Sequence, residues 1–162
     1  MKVIDLMTGT PFYCSSNTNL GSAAELLWSQ NCGILPIVDD QKVVGVVTDR
    51  DLFIALGTRN RLPGDITVGE VSSGKVYLCY ADDDIHNALE IMAREKIRRL
   101  PVVNRKGILQ GILSMDDIVL RAETRKPGVV ADLFYDDVLR TLKKIYSLDT
   151  PLATRPRAAS AS

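Results

Sequence analysis

Histidine occurs once in this chain, tryptophan once and cysteine three times. His86 has no second His or Cys at ligand spacing, which removes the usual zinc patterns and leaves it as a surface helical residue. Cys14, Cys32 and Cys79 are odd in number and contain no C-x-x-C pair. They do not form a disulfide framework, and they fit a reducing compartment. Net charge is absent too, with 20 basic and 20 acidic residues. A nucleic-acid binder usually shows a basic excess and aromatic platforms, and only 6% of this chain is aromatic. No apolar run approaches the roughly 18 residues of a membrane span. The start, MKVIDLMTGT, carries Asp5 and lacks the apolar stretch of a secretion signal. The expectation is a cytoplasmic protein with no nucleic-acid and no membrane partner.

Catalytic signatures are missing as well. No nucleophile elbow, Walker loop, G-x-G-x-x-G or H-E-x-x-H occurs. The acidic run Asp82–Asp84 lacks the Gly and Glu of a calcium loop. With no acid–base pair, metal cluster or nucleophile constellation, no enzyme activity and no obligatory cofactor are expected.

What the chain does have is a repeat. Residues 34–52 read ILPIVDDQKVVGVVTDRDL, and residues 99–118 read RLPVVNRKGILQGILSMDDI. Pro36 matches Pro101, Gly45 matches Gly111, Thr48 matches Ser114 and Asp51 matches Asp117. A period of about 65 residues is a whole supersecondary unit rather than a solenoid turn. Each unit is near the lower size limit for independent folding, so mutual burial of the two is expected.

The copies parse alike. Val3, Ile4, Leu6 and Met7 make a short helical turn, echoed by Val68 and Val71. Short strands are predicted over Phe12–Cys14 and Val76–Tyr80. Leu20, Ala23, Ala24, Leu27 and Trp28 fall at helical spacing, as do Ile85, Ala88, Leu89 and Met92. Asp82–Asp84 suit a helix N-terminus. Trp28 reads as core or repeat interface. Hairpins are predicted from Ile34–Val38 with Val43–Val47, and from Leu100–Val103 with Ile108–Leu113. Helices follow over Asp49–Leu56 and Met115–Ala122. Gly57–Asp65 reads as the linker. Lys126-Pro127-Gly128 breaks the chain, and Asp132–Tyr146 is amphipathic, suited to packing across the pair or to dimerisation. The tail after it has little to bury. The division is therefore 1–62, 63–126, a C-terminal helix within 127–146 and a disordered tail over 147–162.

Two T/S-x-x-D elements carry the chemistry. A hydroxyl and free N–H groups at a helix start can hold a phosphate. A carboxylate one turn later can accept both hydroxyls of a ribose. Thr48 with Asp51 fits this, and so does Ser114 with Asp117; plain helix capping fits both equally. Arg50 lies inside the first element and can reach a phosphate. Arg98 and Arg99 can grip a polyphosphate bidentately, or simply complement a helix C-terminus. Val46 and Ile112 can flank a purine or serve as strand core. Cys32 reads most simply as a small buried hydrophobe.

The pattern L-P-h-V-D, polar turn, h-h-G-h-h-T-x-x-D-L resembles the CBS domain, and two in tandem resemble a CBS pair, or Bateman module. The likeness covers residues 1 to about 125. It implies an α+β fold of two βαββα repeats packed pseudo-symmetrically, with small three-stranded mixed sheets face to face. It implies a regulatory module whose inter-repeat clefts bind AMP, ADP or ATP, with NAD and S-adenosylmethionine ranked behind them. It also implies a homodimer, and output through an unidentified regulated protein. One cleft would combine Ser114, Asp117, Arg98 and Arg99 with Thr8–Phe12, Thr10 included, and Cys32. The other would combine Thr48, Asp51 and Arg50 with Ser72–Val76 and Ile97. A ligand-free structural or docking module is the alternative.

Overall fold

The computed structural model describes residues 1–72, 75–124 and 131–147. Two antiparallel hairpins organise them. β2 (Ile34–Asp39) pairs with β3 (Lys42–Thr48), and β5 (Arg99–Val103) pairs with β6 (Leu109–Ser114). The turns are built differently. Asp40 and Gln41 both take positive φ, 48° and 66°, the combination of a type I′ turn, whose twist suits the flanking strands. In the second hairpin Gly107 takes φ 81°. The Asn104 side chain there accepts from the Lys106 and Ile108 amides at 2.9 and 3.1 Å. Each hairpin breaks register once, at Ile37/Val38 and at Val102/Val103. Even the irregularity is repeated.

A helix precedes each hairpin. α1 (Leu20–Ser29) is capped by Asn19, whose side chain accepts from the Ser22 amide at 2.9 Å. α4 (Ile85–Glu95) is capped by Asp84, which accepts from the His86 amide at 2.9 Å. Leu20, Ala23 and Leu27 of α1 are buried, as are Ile85, Ala88, Leu89 and Met92 of α4. Each large apolar side chain so buried is worth roughly 1.5–3 kcal/mol, which docks these faces on the sheets. Trp28 departs from the expected core position and is 87% exposed. At 3.6 residues per turn it stands about 80° round the helix from Leu20, beyond the buried stripe.

α2 (Asp49–Thr58) and α5 (Met115–Arg121) leave the hairpins directly. A 3₁₀ turn at Pro63–Asp65 and the short helix α3 (Val68–Val71) connect the repeats.

The family resemblance implies three strands per sheet; among the described residues the sheets have two and four. In the first repeat Phe12–Cys14 is not a strand, and only Cys14 bridges, in parallel to Ile37. Thr10 turns the backbone at φ 47°, and Phe12 and Tyr13 are exposed, so one residue alone reaches the hairpin. The second sheet runs β1-β6-β5-β4, with β1 (Thr8–Gly9) and β4 (Cys79–Tyr80) at its edges.

β1 is an exchanged element. It comes from the start of the chain, yet it pairs with the second hairpin, Thr8 opposite Ile112 and Gly9 opposite Gly111. The 3₁₀ turn Val3–Asp5 precedes it, and Val3 and Leu6 sit in the second repeat's core. Reciprocally, Ile66 and Val68, ahead of the second repeat, sit in the first repeat's core. Each repeat lends its leading segment to the other. Units of this size bury too little apolar surface to stand comfortably alone, and the exchange ties them together.

α6 (Tyr135–Tyr146) starts three residues later than its pattern predicts. The Phe134 amide donates to the Asp137 carboxylate at 3.1 Å and sets the start. The helix packs on α4 and α5. Leu133, Val138 and Ile145 join the second repeat's core. Apart from Ser147, the expected tail lies outside the described residues, as does the break at Lys126-Pro127-Gly128.

Candidate functional site: two clefts between the repeats

The end of each hairpin becomes a helix start. Thr48 is the N-cap of α2. Its hydroxyl accepts from the Asp51 amide at 3.3 Å and donates to Asp51 Oδ2 at 2.7 Å, while its own amide donates to that oxygen at 2.9 Å. Ser114 does the same at α5, with distances of 3.2, 2.6 and 2.9 Å to Asp117. Both T/S-x-x-D elements are therefore complete capping boxes, a reciprocal pairing that satisfies two otherwise orphaned amides. Capping is the role the structure displays, and the cap bonds to Asp51 and Asp117 fall on Oδ2.

Each helix start faces a cleft. The first, of about 530 Å³, is lined by Val46, Thr48, Arg50, Ile97, Arg98 and Arg99, among others. The second, of about 330 Å³, is lined by Thr10, Cys32, Arg99, Ile112, Ser114 and Asp117, among others. Both volumes fall in the range of small-molecule sites. In each, the T/S element of one repeat meets the helix-to-strand loop of the other: residues 96–99 in the first cleft and 30–34 in the second.

Two placements differ from expectation. Arg98 lines the first cleft beside Thr48, rather than the second beside Ser114. Arg99 lines both. The cause is the alternation of an extended chain, which sends adjacent side chains to opposite sides. Arg98 stands just outside β5 and leans toward Tyr146, donating to its hydroxyl at 3.3 Å. Arg99 opens β5 opposite Ser114, and its guanidinium reaches within 3.5 Å of where a Gly33 side chain would begin. Asp117 lines the second cleft, whereas Asp51 is not among the residues lining the first. Of the expected segment Ser72–Val76, Lys75 lines the first cleft; Ser73 and Gly74 lie outside the described residues.

Arg99 occupies the centre of the pseudo-symmetry. Its counterpart is Ile34, which opens β2 opposite Thr48 as Arg99 opens β5 opposite Ser114. Ile34 also lines both clefts. One central position is thus apolar and the other cationic.

Several lining residues escaped the sequence reading. Lys96, in the left-handed conformation at φ 56°, matches Asn31 at φ 49°. Both close a helix at the lip of a cleft. Lys75, inside the expected segment Ser72–Val76, lies over the Tyr77 ring at 4.9 Å from its centroid. Ile145 and Tyr146 reach the first cleft from α6. The repeat offset leads from Asn31 to Lys96, but nothing in the repeat leads to α6, which has no counterpart in the first half.

The remaining titratable groups are accounted for elsewhere. Burial, with a smaller contribution from Asp39, pushes the Cys14 thiol up to about 11. Burial, with Asp83 adding to it, pushes Cys79 up to about 12. Cys32 is half-buried at the second cleft. His86 is exposed, with Nδ1 2.8 Å from Asp84 Oδ1. Among the described residues no group of three or more His, Cys, Asp or Glu could hold a metal ion. No described helix is long and apolar enough to cross a membrane.

Two copies of one α+β unit, exchanged at their leading segments and enclosing two clefts, define a tandem-repeat module. The chain belongs to the CBS domain family, whose pattern matches residues 3–58 and 68–123. It is 32% identical over 127 residues to the uncharacterized protein YlbB of Bacillus subtilis, covering 77% of this chain and 84% of that protein. Solved CBS domain pairs share the fold. The pair of protein MJ0100, in complex with 5′-methylthioadenosine and S-adenosyl-L-methionine, matches with TM-score 0.67 and 28% identity, over 74% of this chain and 94% of that one. The CBS domain protein PAE2072 of Pyrobaculum aerophilum, complexed with AMP, matches with TM-score 0.65 and 26% identity, over 73% and 90%. α6 lies beyond the second matched segment.

Proposed function

We propose that this chain is a regulatory module, not an enzyme, that binds adenosine derivatives in its inter-repeat clefts. AMP, ADP and ATP head the candidates. One observation carries the reading: each cleft sets a capped T/S-x-x-D helix start of one repeat against the loop before the hairpin of the other. A ligand there touches both repeats at once. It favours the relative orientation that fits it, and occupancy becomes a shift in conformation or association. Thr48 and Arg50, or Ser114, would meet phosphate. Asp117, and Asp51 after a small rearrangement, would meet ribose. Val46 with Ile97, or Ile112 with Thr10 and Cys32, would border the base. The complexes of the MJ0100 pair and of PAE2072 support this ligand class.

The test is thermal unfolding with a panel of adenine nucleotides, S-adenosylmethionine and NAD. A ligand selective for the folded state raises the melting temperature as its concentration passes its Kd. No shift with any of them at millimolar concentration overturns the reading for those ligands.

A second reading concerns association. Trp28 on α1 and Phe53 on α2 are 87% and 77% exposed, and both border an open groove with Leu27, Leu52 and Leu56. Contiguous exposed apolar side chains commonly mark a protein–protein surface. We infer that two copies of this chain meet there. Phe53→Glu then converts the dimer to a monomer in analytical ultracentrifugation, and a monomeric wild-type protein at high concentration sinks the idea.

A further inference from the structure

The two clefts differ in charge as well as in size. Among the described residues, five cationic side chains line the first, Arg50, Lys75, Lys96, Arg98 and Arg99, against the carboxylate of Asp49. Among the same residues the second has one cation, Arg99, against one carboxylate, Asp117. The amino end of the ten-residue helix α2 opens at the first cleft through Thr48, which adds the positive pole of its dipole. One adenosine monophosphate does not need so many cations. Packed like charges repel, and an anion of high charge relieves that repulsion as it binds.

Three of these cations are also held in place over the cleft. The Arg98 guanidinium donates to the Tyr146 hydroxyl at 3.3 Å. Lys96 Nζ donates to the Ser147 carbonyl at 3.0 Å. Lys75 lies over Tyr77. Two of these anchors come from α6 or the residue that ends it, beyond the segment that matches the family pattern. Ile145, the neighbour of Tyr146, is buried in the second repeat's core, so the anchor stands on a rigid base.

We propose that the first cleft is a polyphosphate site, selecting nucleoside di- and triphosphates by phosphate number, and that Tyr146 is a positioning residue for it through Arg98. The second cleft, near charge balance, takes adenosine derivatives of low charge. The inference rests on the reading of the clefts as adenosine sites, but its charge argument can be tested without adenosine.

The experiment is titration calorimetry on the full chain with adenosine, AMP, ADP, ATP and inorganic tripolyphosphate, at low and at physiological salt. ATP is expected to bind at least about tenfold tighter than AMP, as added charge-assisted contacts dictate. Tripolyphosphate alone is expected to bind and to compete with ATP. In the double variant Arg50→Gln, Arg98→Gln the ATP affinity falls by about tenfold or more while adenosine binding stays within about twofold. Tyr146→Phe weakens ATP by a few-fold, leaves adenosine unchanged and leaves the melting temperature of the unliganded protein near wild type.

Adenosine derivatives binding with no dependence on phosphate number overturn this proposal and spare the general one. So does a ranking unchanged in the double variant, provided circular dichroism shows that variant folded. Tripolyphosphate binding with no adenosine derivative bound overturns both, since ATP itself then fails to bind. Binding of neither overturns both.

Discussion

Gly111 faces the backbone carbonyl of Thr8. A Cβ built on Gly111 would stand 2.7 Å from the Thr8 carbonyl oxygen and 2.6 Å from Met7 Sδ. The exchanged strand β1 can cross β6 at that point only because no side chain is there. Gly45, the matching residue of the first repeat, would meet Ser72 Oγ at 2.8 Å and Ile37 Cδ1 at 3.2 Å. Each hairpin glycine is approached closely, one by backbone and the other by the ends of side chains.

Gly111→Ala should therefore cost more than Gly45→Ala. The backbone of Thr8 cannot yield without breaking the β1–β6 pairing, whereas the Ser72 hydroxyl can rotate at the loss of its 3.4 Å bond to the Val46 carbonyl. Overpacking of the Gly111 kind typically costs about 1–3 kcal/mol. Differential scanning calorimetry of the two variants reads the difference, and equal melting temperatures would contradict the exchange as a stabilising contact.

The capping boxes predict symmetric losses. Thr48→Ala and Ser114→Ala each remove a side chain that accepts an otherwise orphaned amide, at a cost of about 1 kcal/mol. Thr48→Ser retains the hydroxyl and should stay close to wild type. Urea denaturation checks this through the midpoint, with an unchanged slope.

Leu133 tests whether α6 belongs to the folded unit. It is 1% exposed and packed in the second repeat's core. Leu133→Ala should destabilise by about 2–5 kcal/mol. Leu139, on the outer face of α6 and 51% exposed, should tolerate alanine within about 0.5 kcal/mol. A single cooperative transition in which α6 and the sheets melt together is the expected outcome.

The thiols predict both reactivity and pH dependence. Cys14 and Cys79 are buried and Cys32 is half-buried. An aromatic disulfide reagent near neutral pH should modify Cys32 in the folded protein and the other two only after unfolding. Cys14 and Cys79 hold their protons more tightly folded than unfolded, with values raised from 9.0 to about 11 and about 12. The folded state then binds more protons, so stability is full below about pH 9 and falls as pH rises from 9 through the folded values. Denaturation curves between pH 8 and 10.5 should show that slope, and Cys14→Ala with Cys79→Ala should flatten it.

Much of this was legible in the chain itself. The repeat, both hairpins and the caps at Thr48, Asp84 and Ser114 depend on local spacing and turn chemistry, which a sequence displays. The division of residues between clefts was only partly legible. Cys32 and Ile97 line the clefts that the repeat suggests, while Arg98 lines the other one, because the alternation of side chains at the start of β5 depends on where that strand begins. Trp28 was misplaced for a similar reason: a helix of ten residues buries a narrow stripe, and periodicity alone does not tell its edge from its centre.

By itself the sequence determined the family, the two βαββα-like units and the two capped helix starts, because each follows from contacts between residues close along the chain. Only the tertiary structure decided that each repeat surrenders its leading segment to the other, that Arg99 stands between the clefts and that α6 walls just one of them. Those are contacts between residues far apart in sequence. They depend on how two similar surfaces meet once both have formed, and one helix without a counterpart was enough to make the halves unequal.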